Sequence, residues 1–271
     1  MLRKCLRYDF KSVFTYWLFG AITMLILSFP AGLALRSQIV NIENASNRFN
    51  WEILVLILYY FAIAAFLLLG SILIYVRYYK HFFSDEGYLT FTLPVKRRTL
   101  YTSKVLNGAI YQVLSYVVVF ISIIIMVLFI PSSENSVPST PSYSEPIKGV
   151  FWIFMCVLEV LALLIIYAFT SVISMYLVIT IGANIVRKNK VLATIGIVYA
   201  SGMVLTFLSY LLTALGALYV TSAITSINIS ITNAPFFVFL LLALAIVVLL
   251  TITVSLAMVT LHILERKLNL A

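Results

Sequence analysis

Acidic residues are scarce in this chain: nine Asp and Glu stand among 271 residues, against eighteen Lys and Arg. Charged residues of either sign make up only 10% of the sequence, too few to solvate a water-soluble globule of this length. Cysteine is also rare. Cys5 precedes the first long apolar run and Cys156 lies near the far end of the fourth, so the two fall on opposite sides of a bilayer and cannot pair. Both histidines, His81 and His262, sit at the ends of apolar runs and read as interface residues. No Gly-x-x-x-x-Gly-Lys-Ser/Thr run occurs, which excludes a P-loop cradle for nucleotide phosphates. The longest polar stretch, 77–104, is shorter than the roughly 40 residues below which an unsupported domain becomes improbable.

Apolar sequence fills the space instead. Hydrophobic residues account for 63% of the chain and the mean hydropathy is +1.11. Six stretches, 13–35, 53–76, 105–130, 150–184, 191–215 and 236–261, each reach the roughly 20 residues that cross a hydrocarbon core of about 30 Å. Basic residues mark their orientation. Four lie in the N-terminal tail (Arg3, Lys4, Arg7, Lys11) and six in the second connection (Arg77, Lys80, Lys96, Arg97, Arg98, Lys104). Three more lie in the fourth connection (Arg187, Lys188, Lys190) and two in the C-terminal tail (Arg266, Lys267). The other side holds only Arg36, Arg48 and Lys148. Under the positive-inside rule this places both termini in the cytoplasm of a multi-pass protein of the cell membrane. The expected fold is all-α and integral to the membrane, one membrane domain over residues 1–271 with six transmembrane helices. The net charge of +9 follows from topology and proximity to anionic lipid, so nucleic acid is not an expected partner.

The connections have individual characters. Leu2, Leu6, Phe10 and Val13 recur at helical spacing among basic residues, which predicts an amphipathic N-terminal helix lying in the cytoplasmic interface. Residues 37–51 form a short polar external loop, and 131–146 form a Ser- and Pro-rich linker. The small residues Ala31-Gly32-Leu33-Ala34 suggest a leader cleavage site, but the apolar run is too long for one and the segment reads as a span. At about 1.5 Å per residue the fourth stretch reaches about 52 Å, so it tilts or protrudes. Residues 216–235 are apolar and small between polar residues, which predicts a segment that re-enters the outer leaflet.

The second connection is the densest in chemistry. Ser84 is a good N-cap, Asp85 and Glu86 would occupy a first helical turn, and Pro94 ends the segment. Tyr88, Leu89, Phe91 and Leu93 give it an apolar surface. Such a segment either rests on the lipid interface or receives a soluble partner.

The run Phe83-Ser-Asp-Glu-Gly-Tyr-Leu-Thr-Phe-Thr-Leu-Pro-Val95, with Lys104 opening the third span, resembles the corresponding loop of type-2 ABC transporter permeases of the Gram-positive drug- and peptide-export type. Six spans with both ends inside are similar too. The resemblance implies that 84–93 is a coupling helix seated in a nucleotide-binding (ATPase) subunit, with Ser84, Asp85, Glu86, Gly87, Tyr88, Leu89 and Phe91 at the contact. It implies that 2–11 is a connecting helix and 216–235 a re-entrant cap. A second permease copy or a related permease would complete the pathway. The chain itself would bind no cofactor and would be a transport subunit rather than an enzyme, ATP and Mg residing on the partner.

Glu159 is the one acid well inside a span. A carboxylate there costs about 2.5–3.5 kcal/mol on insertion scales, so it faces a cavity or a partner; it serves either a substrate or proton, or a neighbouring hydroxyl. By the resemblance, spans two and five line the pathway, which adds Tyr59, Tyr60, Tyr199, Ser209 and Tyr210 as candidate contacts beside Glu159. Ordinary packing of hydroxyl residues between helices is the alternative for each. The competing functional reading is a proton-coupled secondary transporter using Glu159. An intramembrane enzyme ranks last, because one glutamate without embedded histidines does not assemble a catalytic set.

Overall fold

A computed structural model describes residues 2–40, 51–83, 97–129, 146–185, 196–197 and 234–266. Five helices run through them: α1 (Leu2–Val40), α2 (Trp51–Phe83), α3 (Arg97–Leu128), α4 (Pro146–Ile185) and α5 (Ala234–Arg266). All five are long and apolar enough to span a membrane, and the described residues contain no strand. Their apolar surface is mostly turned outward. Only 11% of the most hydrophobic window of α2 and 6% of that of α5 is buried, an arrangement water would not tolerate and hydrocarbon does. Four of the helices coincide with the expected stretches at 13–35, 53–76, 105–130 and 150–184, and α5 with that at 236–261. The expected span at 191–215 lies outside the described residues, apart from 196–197, which are helical. So do most of the linker at 131–146, nearly all of the re-entrant segment at 216–235 and residues 41–50 of the expected loop at 37–51, whose first four residues instead belong to α1 and whose last belongs to α2.

Two expectations need correction. The amphipathic segment at the N-terminus is helical, but it is not a separate helix turned into the interface: α1 is continuous from Leu2 to Val40. No glycine or proline occurs before Gly20 to break it. Asp9, Val13, Trp17, Ala21, Met24, Ser28 and Ala31 then form one buried stripe at spacings of three and four, so the tail and the span share an inward face. The second connection is also shorter than 77–104. Helix α2 continues to Phe83 and α3 starts at Arg97, because Tyr78 and Phe82, one turn apart, and Leu100 and Tyr101 are all buried.

The helices group into two compact units. The first takes in Met1–Tyr78 and Thr102–Ser142. In it α3 pairs with α1 in the same direction, residues 9, 10 and 17 meeting 104, 111 and 115. Helix α2 runs the opposite way against α3, residues 59 and 71 meeting 122 and 112. The second unit takes in Tyr79–Tyr101 and Tyr143–Ala271. There α4 packs against α5, and Ala168, Val172, Tyr176, Ile179 and Ala183 make a buried seam along the C-terminal half of α4.

Candidate functional site

One face of α3 carries Lys104, Asn107, Tyr111, Ser115 and Ser122, at intervals of three, four, four and seven residues, and all five are buried. Lys104, Tyr111, Ser115 and Ser122 of that stripe make polar contacts across unit 1. The Lys104 ammonium donates to both carboxylate oxygens of Asp9 at 2.6 Å, and the pair is almost completely shielded from solvent. Arg77 approaches from α2, its Nε 3.6 Å from Asp9 Oδ1, too long for a hydrogen bond. The Tyr111 hydroxyl donates to the Phe10 carbonyl at 2.6 Å, with the two rings stacked at 4.9 Å. Further along, the Trp17 indole N–H donates to Ser115 Oγ at 2.8 Å. Ser122 Oγ donates to the Val119 carbonyl, so in its 2.9 Å bond with Tyr59 the phenol is the donor. Without water, each pair is an alternative to an unmet polar group in hydrocarbon.

Asp9 is the buried charged residue that the sequence analysis does not single out. Its neighbours signal it: Leu6, Phe10 and Val13 carry the apolar periodicity of the tail, and Asp9 falls four residues before Val13 on the same side. A lone acid on the inward face of a basic segment calls for a buried cation. By charge counting alone, Lys104 and Arg77 mark only the cytoplasmic side of the membrane.

In unit 2 the start of α3 is tied to the end of α5. Arg97 donates from one Nη to the Leu264 carbonyl at 3.1 Å, capping an acceptor that the last helical turn leaves open. Arg98 pairs with Glu265 through Nε at 2.6 Å and Nη2 at 3.2 Å, a two-pronged contact. One turn inward Thr260 donates to the Leu256 carbonyl, so the Tyr101 hydroxyl is the donor in its 2.8 Å bond with Thr260. Phe82, Leu100 and Tyr101, which flank residues 84–96 in sequence, are all buried.

The expected docking residues Ser84, Asp85, Glu86, Gly87, Tyr88, Leu89 and Phe91 lie outside the described residues, as do Tyr199, Ser209 and Tyr210. Of the expected pathway residues that are described, Tyr59 and Tyr60 are in unit 1. They are ring neighbours at 6.0 Å but face different ways: Tyr59 is buried against Ser122, and Tyr60 is exposed. Glu159, in α4 of unit 2, is half-buried, and its Oε2 is shielded with no hydrogen-bond partner among the described residues. Among the described residues no three of His, Cys, Asp and Glu gather closely enough to hold a metal ion.

No family model matches this chain, and neither a curated protein nor a solved structure matches it. Its function is therefore argued from its own residues.

Proposed function

We propose that this chain is the permease subunit of an ATP-driven exporter of the ABC type. In this reading six spans place both termini in the cytoplasm of the cell membrane, and residues 84–93 dock into a separate nucleotide-binding subunit that carries ATP and Mg. A second permease copy or a related one completes the pathway, and the cargo is a peptide, drug or lipid-like molecule. The observation that carries the reading is how the acidic and aromatic segment is framed. It lies between two helices long enough to span a membrane, and the helix that follows it is clamped through Arg97 and Arg98 to the end of α5. A loop that merely rests on lipid needs no such anchorage. A loop that must pull on a helix does: when the ATPase subunits close, displacement of 84–93 reaches α3 and, through the clamp, α5.

Affinity purification of the chain from native membranes in mild detergent tests this. A stoichiometric soluble subunit with a P-loop should co-purify and be lost when Glu86 and Tyr88 are both changed to Ala. A preparation with no ATPase, even after crosslinking in cells, would sink the reading. The clamp adds a second expectation. Arg98→Glu should uncouple ATP hydrolysis from transport while leaving the partner bound, and Glu265→Arg on the same chain should restore coupling. Failure of the double change to rescue would show that the ion pair does not transmit force.

A second reading has one observation in its favour. The Oε2 of Glu159, which has no hydrogen-bond partner among the described residues, fits a carboxylate that takes up a proton or a cationic substrate, as in a proton-coupled transporter. Glu159→Gln separates the two, since it abolishes proton-driven transport and leaves ATP-driven export running.

A further inference from the structure

The Asp9 cluster contains more positive charge than it neutralises. Both oxygens of Asp9 are taken by Lys104 at 2.6 Å, so Arg77 is drawn to the cluster without being satisfied by it. Its Nε is shielded and has no hydrogen-bond partner among the described residues, while the guanidinium as a whole is 24% exposed. Among the described residues one carboxylate faces two cations here, and the exposed part of the Arg77 guanidinium, whose Nη groups can donate two parallel hydrogen bonds, is the group best shaped to take a phosphate. Arg7 and Lys11, exposed on α1 on either side of Asp9 in sequence, add to the local positive potential.

An apolar groove leads away from this charge. It lies between α1 and α2 within unit 1, has a volume of about 480 Å³, is open along one side, and is lined by residues including Trp17, Gly20, Met24, Phe66, Gly70 and Leu73. Phe66, Gly70, Leu73 and Arg77 follow one another on α2 at intervals of four, three and four, so Arg77 stands one turn beyond the end of the groove on the same helix face. The α1 wall runs from Tyr16 to Leu27, a length of about 16 Å at 1.5 Å per residue, which suits a hydrocarbon chain. The absent side chain of Gly20 keeps the groove open: a Cβ there would come within 3.1 Å of Phe66.

We infer that unit 1 binds one anionic phospholipid, its phosphate on the Arg77 guanidinium and one acyl chain in the α1–α2 groove. Charge decides the headgroup class, because a net anionic lipid neutralises the surplus and a zwitterionic one does not. The site stands on the membrane-spanning character of these helices and is independent of what the chain transports.

The test is native mass spectrometry of the full chain in detergent, titrated with phosphatidylglycerol or phosphatidylcholine. Wild type should retain one phosphatidylglycerol in clear preference to phosphatidylcholine. Arg77→Gln should weaken retention about tenfold or more, the loss expected for hydrogen bonds to a charged group. This variant keeps the Asp9–Lys104 pair charge-balanced, so it should fold, and an unchanged thermal midpoint would confirm that. Ala65 lines the groove from α2, so Ala65→Phe, which fills the groove and leaves the charges alone, should also weaken retention. Equal retention of both lipids, or equal retention by wild type and Arg77→Gln, would overturn the site. Unchanged retention in Ala65→Phe would overturn the chain-binding groove. Displacement of the lipid by millimolar inorganic phosphate would identify a free anion as the natural occupant and overturn the lipid assignment.

Discussion

Replacing Asp9 with Asn should destabilise the protein by about 3–5 kcal/mol, the cost of removing one member of a buried ion pair. Lys104 would lose the carboxylate that accepts from it at 2.6 Å through both oxygens, in a place where solvent does not reach. Arg77, already poorly satisfied, would have no counter-charge within reach among the described residues. The expected readout is a large drop in the thermal unfolding midpoint of the detergent-solubilised chain. Lys104→Met should cost less than Asp9→Asn, because Arg77 stands 3.6 Å from Asp9 and still offers it a cation. The double change Asp9→Leu with Lys104→Met should recover most of the loss, since apolar replacement of a whole buried pair is often neutral or stabilising. If the single variants unfold at the wild-type temperature, the pair contributes nothing net.

Enlarging Gly32 is the second substitution with a large expected effect. A Cβ at this position would stand 2.6 Å from Cδ2 of Phe129 and 3.1 Å from the Met126 carbonyl oxygen. The ring could move only if it were free, and it packs edge-on against Phe29 with centroids 6.1 Å apart; the carbonyl belongs to the backbone of α3 and cannot yield alone. Gly32→Ala should therefore cost about 1–3 kcal/mol and Gly32→Leu more, as overpacking does in a tight core. Adding Phe129→Ala should relieve most of the Gly32→Ala cost while leaving the carbonyl clash. A purely additive pair would show that the ring is not what fills the space. Ser28, Ala31 and Ala34, all fully buried, continue this seam of small residues, which lets α1 approach its neighbours closely.

The existence of the long helices was legible because an apolar run of about 20 residues is a local property of sequence. Their ends were not. Hydropathy reports where the hydrocarbon stops, whereas the helix stops where inward-facing side chains run out. Tyr78, Phe82, Leu100 and Tyr101 carry α2 and α3 well past the apolar runs for that reason. The Asp9–Lys104 pair was illegible for a different reason: its members are 95 positions apart, and charge counting assigns a side of the membrane but not a partner. Tyr59 shows the same gap. Its place in the second span was readable, but that its hydroxyl meets Ser122 rather than open space depends on the register of α2 against α3.

The stripe on α3 also sets the order of events during synthesis. Helices α1 and α2 leave the ribosome first, and until α3 follows them the Trp17 N–H and the Tyr59 hydroxyl lack the hydrogen-bond partners they hold in the finished fold, and the Asp9 carboxylate lacks Lys104. A nascent chain stopped before Lys104 therefore presents unmet polar groups on two otherwise apolar helices, a state open to chaperones and membrane proteases. Arrival of one helix closes all of these contacts, so unit 1 passes from vulnerable to sealed in a single insertion step.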